Sequence, residues 1–151
     1  MRERGCALPG AADALQALFG REDVIQSVLT GNIRLSAQIK LAAFGLDTYL
    51  DLDIGAYGTD SDTRAGLVDI ARQRATGQSG QAFNFDSTVL IGDTPADVAA
   101  AHDGGARGLS PVATGDHTVD ELAAAGSSIV FRDLTDTPAF KAALYSGKPP
   151  R

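Results

Sequence analysis

Short β-branched apolar runs alternate along the chain with amphipathic stretches of about ten residues, the pattern of βαβ units around a parallel sheet. The spacing predicts a helix over Ala11–Phe19 after Pro9-Gly10, then a strand over Val24–Leu29 that enters Thr30-Gly31-Asn32. A helix over Leu35–Phe44 follows, with apolar residues at Leu35, Ile39, Leu41 and Phe44 and a stop at Gly45. Tyr49–Ile54 reads as a weaker edge strand in which Asp51 and Asp53 are the polar alternation.

The second half repeats the pattern. Arg64–Ala75 is expected to be helical with Ser61 or Asp62 as its N-cap, and polar, glycine-holding Arg74–Gln81 to be a surface turn. Thr88–Ile91 is a strand, Pro95–His102 a helix capped by Thr94 and ended by Gly104-Gly105, and Gly108–Val112 a strand. Thr118-Val119-Asp120-Glu121 has capping-box spacing for a helix ending at Gly126. Ile129–Phe131 is the last strand, and a final helix runs from about Pro138 to Tyr145. A chain of 151 residues suits one domain with a sizeable core. We take residues 1–151 as that domain, with 1–10 and 147–151 poorly ordered.

Composition narrows the classes. At 44% hydrophobic and 21% charged residues the chain sits near the globular average. Its longest apolar runs are about half a membrane span, and no signal-peptide pattern opens it, so no membrane contact and a cytoplasmic location are expected. A formal charge of −6 with scattered arginines argues against nucleic acid. The single cysteine, Cys6, excludes an intrachain disulfide and reads as a bystander. His102, at a helix end, and His117, before a capping box, read as surface residues.

Chemistry concentrates in two segments. In Val89-Leu90-Ile91-Gly92-Asp93-Thr94-Pro95-Ala96-Asp97 a buried strand ends, a glycine turns the chain, and two carboxylates follow four positions apart. Ligands of open α/β sheets bind beyond the carboxyl ends of strands, and hard oxygens placed there suit Mg²⁺. The plainer reading makes Asp93 and Asp97 helix-start anions that meet the macrodipole. In Val28-Leu29-Thr30-Gly31-Asn32 a strand end delivers a hydroxyl, a glycine and an amide ahead of a helix. Thr30 Oγ with the backbone N–H groups of Gly31 and Asn32 could hold a phosphate, or simply cap a turn.

These two segments, in this order, resemble the second and fourth motifs of the haloacid dehalogenase superfamily, a hydrophobic strand ending in Ser or Thr (Thr30) and a strand followed by Gly-Asp-x-x-x-Asp (Asp93, Asp97). Lys40–Leu46 and Ala101–Arg107 are similar to the corresponding stretches of phosphoglycolate-phosphatase-like members, and the resemblance covers roughly residues 8–145. It implies a Rossmann-like three-layer α/β/α fold, Mg²⁺ at Asp93 and Asp97, a small phosphorylated metabolite as substrate, and hydrolysis through an aspartyl phosphate. Many relatives place the family's charge-balancing cation in a Lys-Pro pair after the third strand, and no such pair stands there in this chain; Arg64 takes the role here, with Lys40 as the alternative.

The family's first motif, a hydrophobic strand followed by Asp-x-Asp, supplies the nucleophile and the general acid-base. Before Thr30 the acidic residues are Glu3, Asp13, Glu22 and Asp23, and none follows such a strand. Asp51-Leu52-Asp53 has the spacing but falls after the second motif. The resemblance therefore implies a core domain without the first motif, its central strand and the cap: a fragment, a misplaced start, or a true loss. The gap is expected to close by pairing of the two flanking strands or by a strand from another chain, with a homo-oligomer as one form of it. The leading function is a Mg²⁺-dependent phosphomonoesterase lineage; the alternative is a non-catalytic phosphate- or metal-binding or oligomerisation module. Dehalogenation needs no acidic metal site, and a receiver-type signalling domain would need an early acidic cluster that is absent.

Overall fold

A computed structural model of the chain describes residues 6–111 and 116–146. The elements run α1 (Ala11–Leu18), α2 (Arg34–Ala43), a single 3₁₀ turn (Asp47–Tyr49), α3 (Arg64–Ser79), β1 (Val89–Ile91), α4 (Pro95–Asp103), β2 (Arg107–Pro111), α5 (Val119–Ala124), β3 (Ile129–Phe131) and α6 (Thr137–Tyr145). The three strands form one parallel sheet in the order β1-β2-β3, with Val89 opposite Arg107 and Leu109 opposite Ile129. The α/β architecture is as the alternation predicts.

Helices cover both faces. Ala14 and Leu18 of α1 and Phe140 and Ala143 of α6 bury against Leu109, with Val89, Ile129 and Phe131 packed around them. On the other face Val68 of α3 and Ala101 of α4 form a second cluster with Ala106, covered by Leu90. Alternate residues of β1 thus enter opposite layers, as the two-residue period of a strand requires. Gly108 of β2 faces Ala101 and Val98 of α4, where an added Cβ would make only ordinary van der Waals contact. Gly10, at φ 81°, sits against the Leu134 backbone, and the Leu134 N–H donates to Pro9 O at 3.0 Å, which ties the entry of α1 to the end of the sheet.

Four local expectations are corrected. Val24–Leu29 forms no regular strand, only an isolated parallel bridge from Leu29 to Ala56. The cause lies opposite it: Asp51 N donates to Gln26 O and Ala56 N to Val28 O, so five residue steps on one side face two on the other. The excess, Leu52–Ile54, forms a bulge that buries Ile54, and the Tyr57 hydroxyl closes it by donating to Leu52 O at 2.7 Å. For the same reason Tyr49–Ile54 is no edge strand: Tyr49 ends the 3₁₀ turn, and bends follow it. Third, the N-cap of α3 is Thr63, whose Oγ accepts from Gly66 N at 3.1 Å, rather than Ser61 or Asp62. Fourth, α3 continues one turn through Gly77 to Ser79 and stops at Gly80 in the left-handed conformation, so Arg74–Ser79 is helix. The outer turn is held by Gln78 Nε2 donating to Asp51 Oδ2 at 2.7 Å. Val112 and the tail 147–151 lie outside the described residues.

Pairing of the two segments that flank the expected central strand is also not found. No backbone hydrogen bond joins 24–29 to β1 among the described residues. In the β1–β2 register the Leu90 N–H and C=O face β2, which leaves those of Val89 and Ile91 on the outer edge. Leu29 is placed likewise: its neighbours Val28 and Thr30 supply the bonds to Ala56, so its own main-chain groups face the other way. Ile25 and Ile91 are both exposed.

Candidate functional site

The β1–α4 turn is built around one carboxylate. Thr94 and Asp97 form a reciprocal capping box: Thr94 Oγ accepts from Asp97 N at 3.2 Å, and Asp97 Oδ2 accepts from Thr94 N at 3.2 Å and from the Thr94 hydroxyl at 2.8 Å. Asp97 Oδ1 accepts from Arg64. Both oxygens of Asp97 are therefore engaged. Gly92 is required beneath it, because a Cβ there would stand 2.3 Å from Asp97 Cβ. Asp93, half-buried at the strand end, makes no side-chain hydrogen bond or ion pair among the described residues.

The turn after Leu29 is the second component. Thr30 Oγ accepts from Asn32 N at 3.1 Å and from Asn32 Nδ2 at 3.0 Å. Asn32 Oδ1 in turn accepts from Lys40 Nζ at 3.4 Å. Gly58 packs its backbone on this turn: its N–H donates to Asn32 O at 2.9 Å, and a Cβ at Gly58 would meet Gly31 O at 2.0 Å.

The loop from Gly55 to Thr63 links the two components, since Gly58 rests on the Thr30 turn and Arg64, which follows the loop, reaches Asp97. Arg74 fixes this loop from α3. Its guanidinium donates to both Asp60 oxygens, at 2.9 and 2.8 Å, and to Gly55 O. Asp60 Oδ2 also accepts from Tyr57 N at 2.8 Å. The Arg74 hydrogen bonds, followed by the Tyr57 N–H, hold the Asp60 carboxyl below its ordinary range. Asp60, Arg74 and the capping role of Thr63 were not singled out in the sequence; an arginine late in a helix carries no mark of the loop it clamps.

The structure thus brings Arg64 to Asp97 and Lys40 to the Thr30 turn, so both candidate cations adjoin a predicted segment. No hydrogen bond or ion pair links Thr30 to Asp93 or Asp97 among the described residues. Nor do the described residues hold a cluster of three or more His, Cys, Asp or Glu able to take a metal ion. Asp51 and Asp53 lie elsewhere: Asp51 Oδ1 accepts from Asp53 N at 3.1 Å, and Asp53 pairs with Arg34 at 2.5 Å. They border an open cavity of about 670 Å³ that also includes Phe19, Tyr49 and Gln78 but none of Thr30, Asp93 or Asp97. Exposed His102 lies 3.3 Å from Asp103 Oδ1, and His117 Nδ1 lies 3.4 Å from Glu121 Oε2 on α5. Cys6 is exposed. No helix among the described residues is long and apolar enough to cross a membrane.

Residues 1–102 match a family model described as haloacid dehalogenase-like hydrolase. A protein named probable phosphatase IndB, from Dickeya dadantii (strain 3937), is 30% identical over 129 residues, which cover 83% of this chain and 52% of that protein. The chain spans about half the length of this curated relative.

Proposed function

Since the chain belongs to the haloacid dehalogenase-like hydrolase family, we propose that it carries the phosphate- and metal-holding part of a Mg²⁺-dependent phosphomonoesterase. The observation that carries this reading is the unequal state of the two carboxylates after β1. Asp97 is spent on Thr94 and Arg64, whereas Asp93 keeps both oxygens free of partners among the described residues. Mg²⁺ needs only one or two carboxylates besides water and substrate phosphate, so a single open carboxylate at a strand end fits it. Asp93 would hold the ion, which on binding would neutralise charge on the phosphoryl oxygens. Asp97 supports the site from behind by orienting Arg64 and the start of α4. Arg64, whose side chain is about half exposed, keeps N–H groups free for a phosphoryl oxygen. The Thr30 hydroxyl donates to another, and the Gly31 N–H is the backbone donor left in that turn, because the Asn32 N–H is already spent on Thr30.

Attack on phosphorus through an aspartyl phosphate requires an Asp-x-Asp that does not stand before Thr30 in this sequence. We assign that role to another stretch of polypeptide, the one that would also pair with the outer edges at Leu29 and Ile91. The relative's name supports phosphate-ester chemistry. A small phosphorylated metabolite is the proposed substrate class. A second reading, a non-catalytic phosphate-binding module, is favoured by one observation: the Asp-x-Asp at Asp51 and Asp53 is tied up in a turn and an ion pair, and in the other, at Asp60 and Asp62, Asp60 is clamped by Arg74.

Hydrolysis of p-nitrophenyl phosphate with Mg²⁺ tests the choice. The expected result is no turnover by this chain alone, and turnover lost in Asp93→Asn once a strand bearing Asp-x-Asp is fused before Ala7. Absence of turnover in that fusion, with the fold intact, contradicts the hydrolase reading. Turnover by the chain alone that Asp93→Asn abolishes contradicts the module reading and places the nucleophile within these residues.

A further inference from the structure

We propose that Asn32 and Lys40 are positioning residues that aim the Thr30 hydroxyl proton outward, toward a bound oxyanion. The inference rests on the reading of Thr30 as a phosphate contact and names what orients it.

A threonine hydroxyl has two lone pairs and one proton. At Thr30 both lone pairs are taken by Asn32, one by its backbone N–H at 3.1 Å and one by its side-chain amide at 3.0 Å. The proton then has only the direction away from Asn32, and among the described residues it meets no acceptor. A hydroxyl held this way is a ready donor to an anion and a poor acceptor for anything else.

That arrangement depends on which way the Asn32 amide is turned. Turned the other way, Asn32 Oδ1 would face Thr30 and draw the hydroxyl proton inward, while its NH₂ group would face the Lys40 ammonium. Donor would then oppose donor. The ammonium, 3.4 Å from Asn32 Oδ1, therefore sets the amide, and the amide sets the hydroxyl. Lys40 sits on α2, two turns beyond Asn32, so the helix that follows the Thr30 turn supplies the charge that orients it. Lys40 acts through Asn32, while Arg64 remains the cation available to the phosphate itself. The two candidates for one role become holders of two.

The test uses the 151-residue chain, with inorganic phosphate as the probe and two readouts. The first needs no ligand: in the amide NMR spectrum the Asn32 side-chain NH₂ protons are expected to be well separated, and to collapse toward free-amide values in Thr30→Val and in Lys40→Met. Unchanged Asn32 signals in both variants overturn the proposal whatever the protein binds. The second is phosphate titration. Thr30→Val, Asn32→Asp and Lys40→Met are each expected to raise Kd about tenfold or more, and Lys40→Met to add little further in the Thr30→Val background, because the lysine acts only through that hydroxyl. Thr30→Ser, which keeps the hydroxyl, retains binding. Additive losses in the double variant show that Lys40 contacts phosphate directly, and overturn the proposal while leaving the phosphate reading standing. If Thr30→Val binds phosphate as the parent does, or the parent binds none, the phosphate reading fails and this inference with it.

Discussion

Arg64 and Asp97, thirty-three residues apart in sequence, meet in an ion pair that joins the loop beneath the Thr30 turn to the helix start beside Asp93. Its contribution to stability is small. Arg64 is 49% exposed, and ion pairs in such settings are worth roughly 0–1 kcal/mol. The capping box that shares Asp97 is local and directional, and loss of a threonine cap costs about 1 kcal/mol. Urea unfolding is expected to show Thr94→Ala more destabilised than Arg64→Gln. The reverse order would mean the ion pair carries more of the fold than its exposure allows.

A methyl group at Gly92 tests how closely the turn is built. It would collide with the Asp97 side chain at 2.3 Å, and an overpacked site costs about 1–3 kcal/mol. Gly92→Ala is expected to displace Asp97, release Arg64 and lower the melting temperature. Gly77→Ala, inside α3 where a Cβ meets nothing within 4 Å, is expected to be neutral or stabilising by up to about 1 kcal/mol. Paired thermal melts of the two alanine variants check this.

These contrasts separate what was legible in the sequence from what was not. The Thr94 and Thr118 caps, the glycine stops at Gly105 and Gly126 and strands β1 and β3 follow from residues within a few positions of one another, and their elements fall where the pattern places them. Val24–Leu29 and Tyr49–Ile54 have strand-like composition, but a strand needs a partner in register, and the bulge at Leu52–Ile54 breaks that register. Around Gly77 polarity and glycine argue locally for a loop; what holds the turn helical is the tie from Gln78 to Asp51, 27 residues away. For the site, Arg64, Lys40, Asp93 and Asp97 were each visible as chemistry. Their partners were not: the spending of Asp97 on Arg64, the Asn32 link from Lys40 to Thr30 and the Asp60–Arg74 clamp are contacts of the folded chain.

The clamp gives a pH dependence. The Asp60 carboxyl is held below its ordinary value near 3.8 by Arg74 and the Tyr57 N–H. A depressed carboxylate contributes stability that is present above the unfolded value and lost as pH falls through the folded one. The Tyr57 amide resonance is therefore expected to hold steady from neutral pH down to about 4 and to shift only below it. In Asp60→Asn the acid-dependent shift should vanish. A shift centred above 4 in the parent would contradict the clamp.

The outer edge of the sheet predicts a pattern of amide exchange. Leu90 and Leu109 donate within the β1–β2 ladder, whereas the Val89 and Ile91 amides face away from it. Val89 and Ile91 should exchange much faster than Leu90, and a strand docking on that edge should slow them selectively. Equal protection across Val89–Ile91 in the isolated chain would show that the edge is already covered.

Magnesium binding in the presence of inorganic phosphate, followed by isothermal titration calorimetry, tests the central assignment most directly. The account predicts that Asp93→Asn abolishes the Mg²⁺ heat, while Asp97→Asn weakens binding without abolishing it, since Asp97 supports the site rather than holding the ion. Parent-like Mg²⁺ binding by Asp93→Asn would contradict the account.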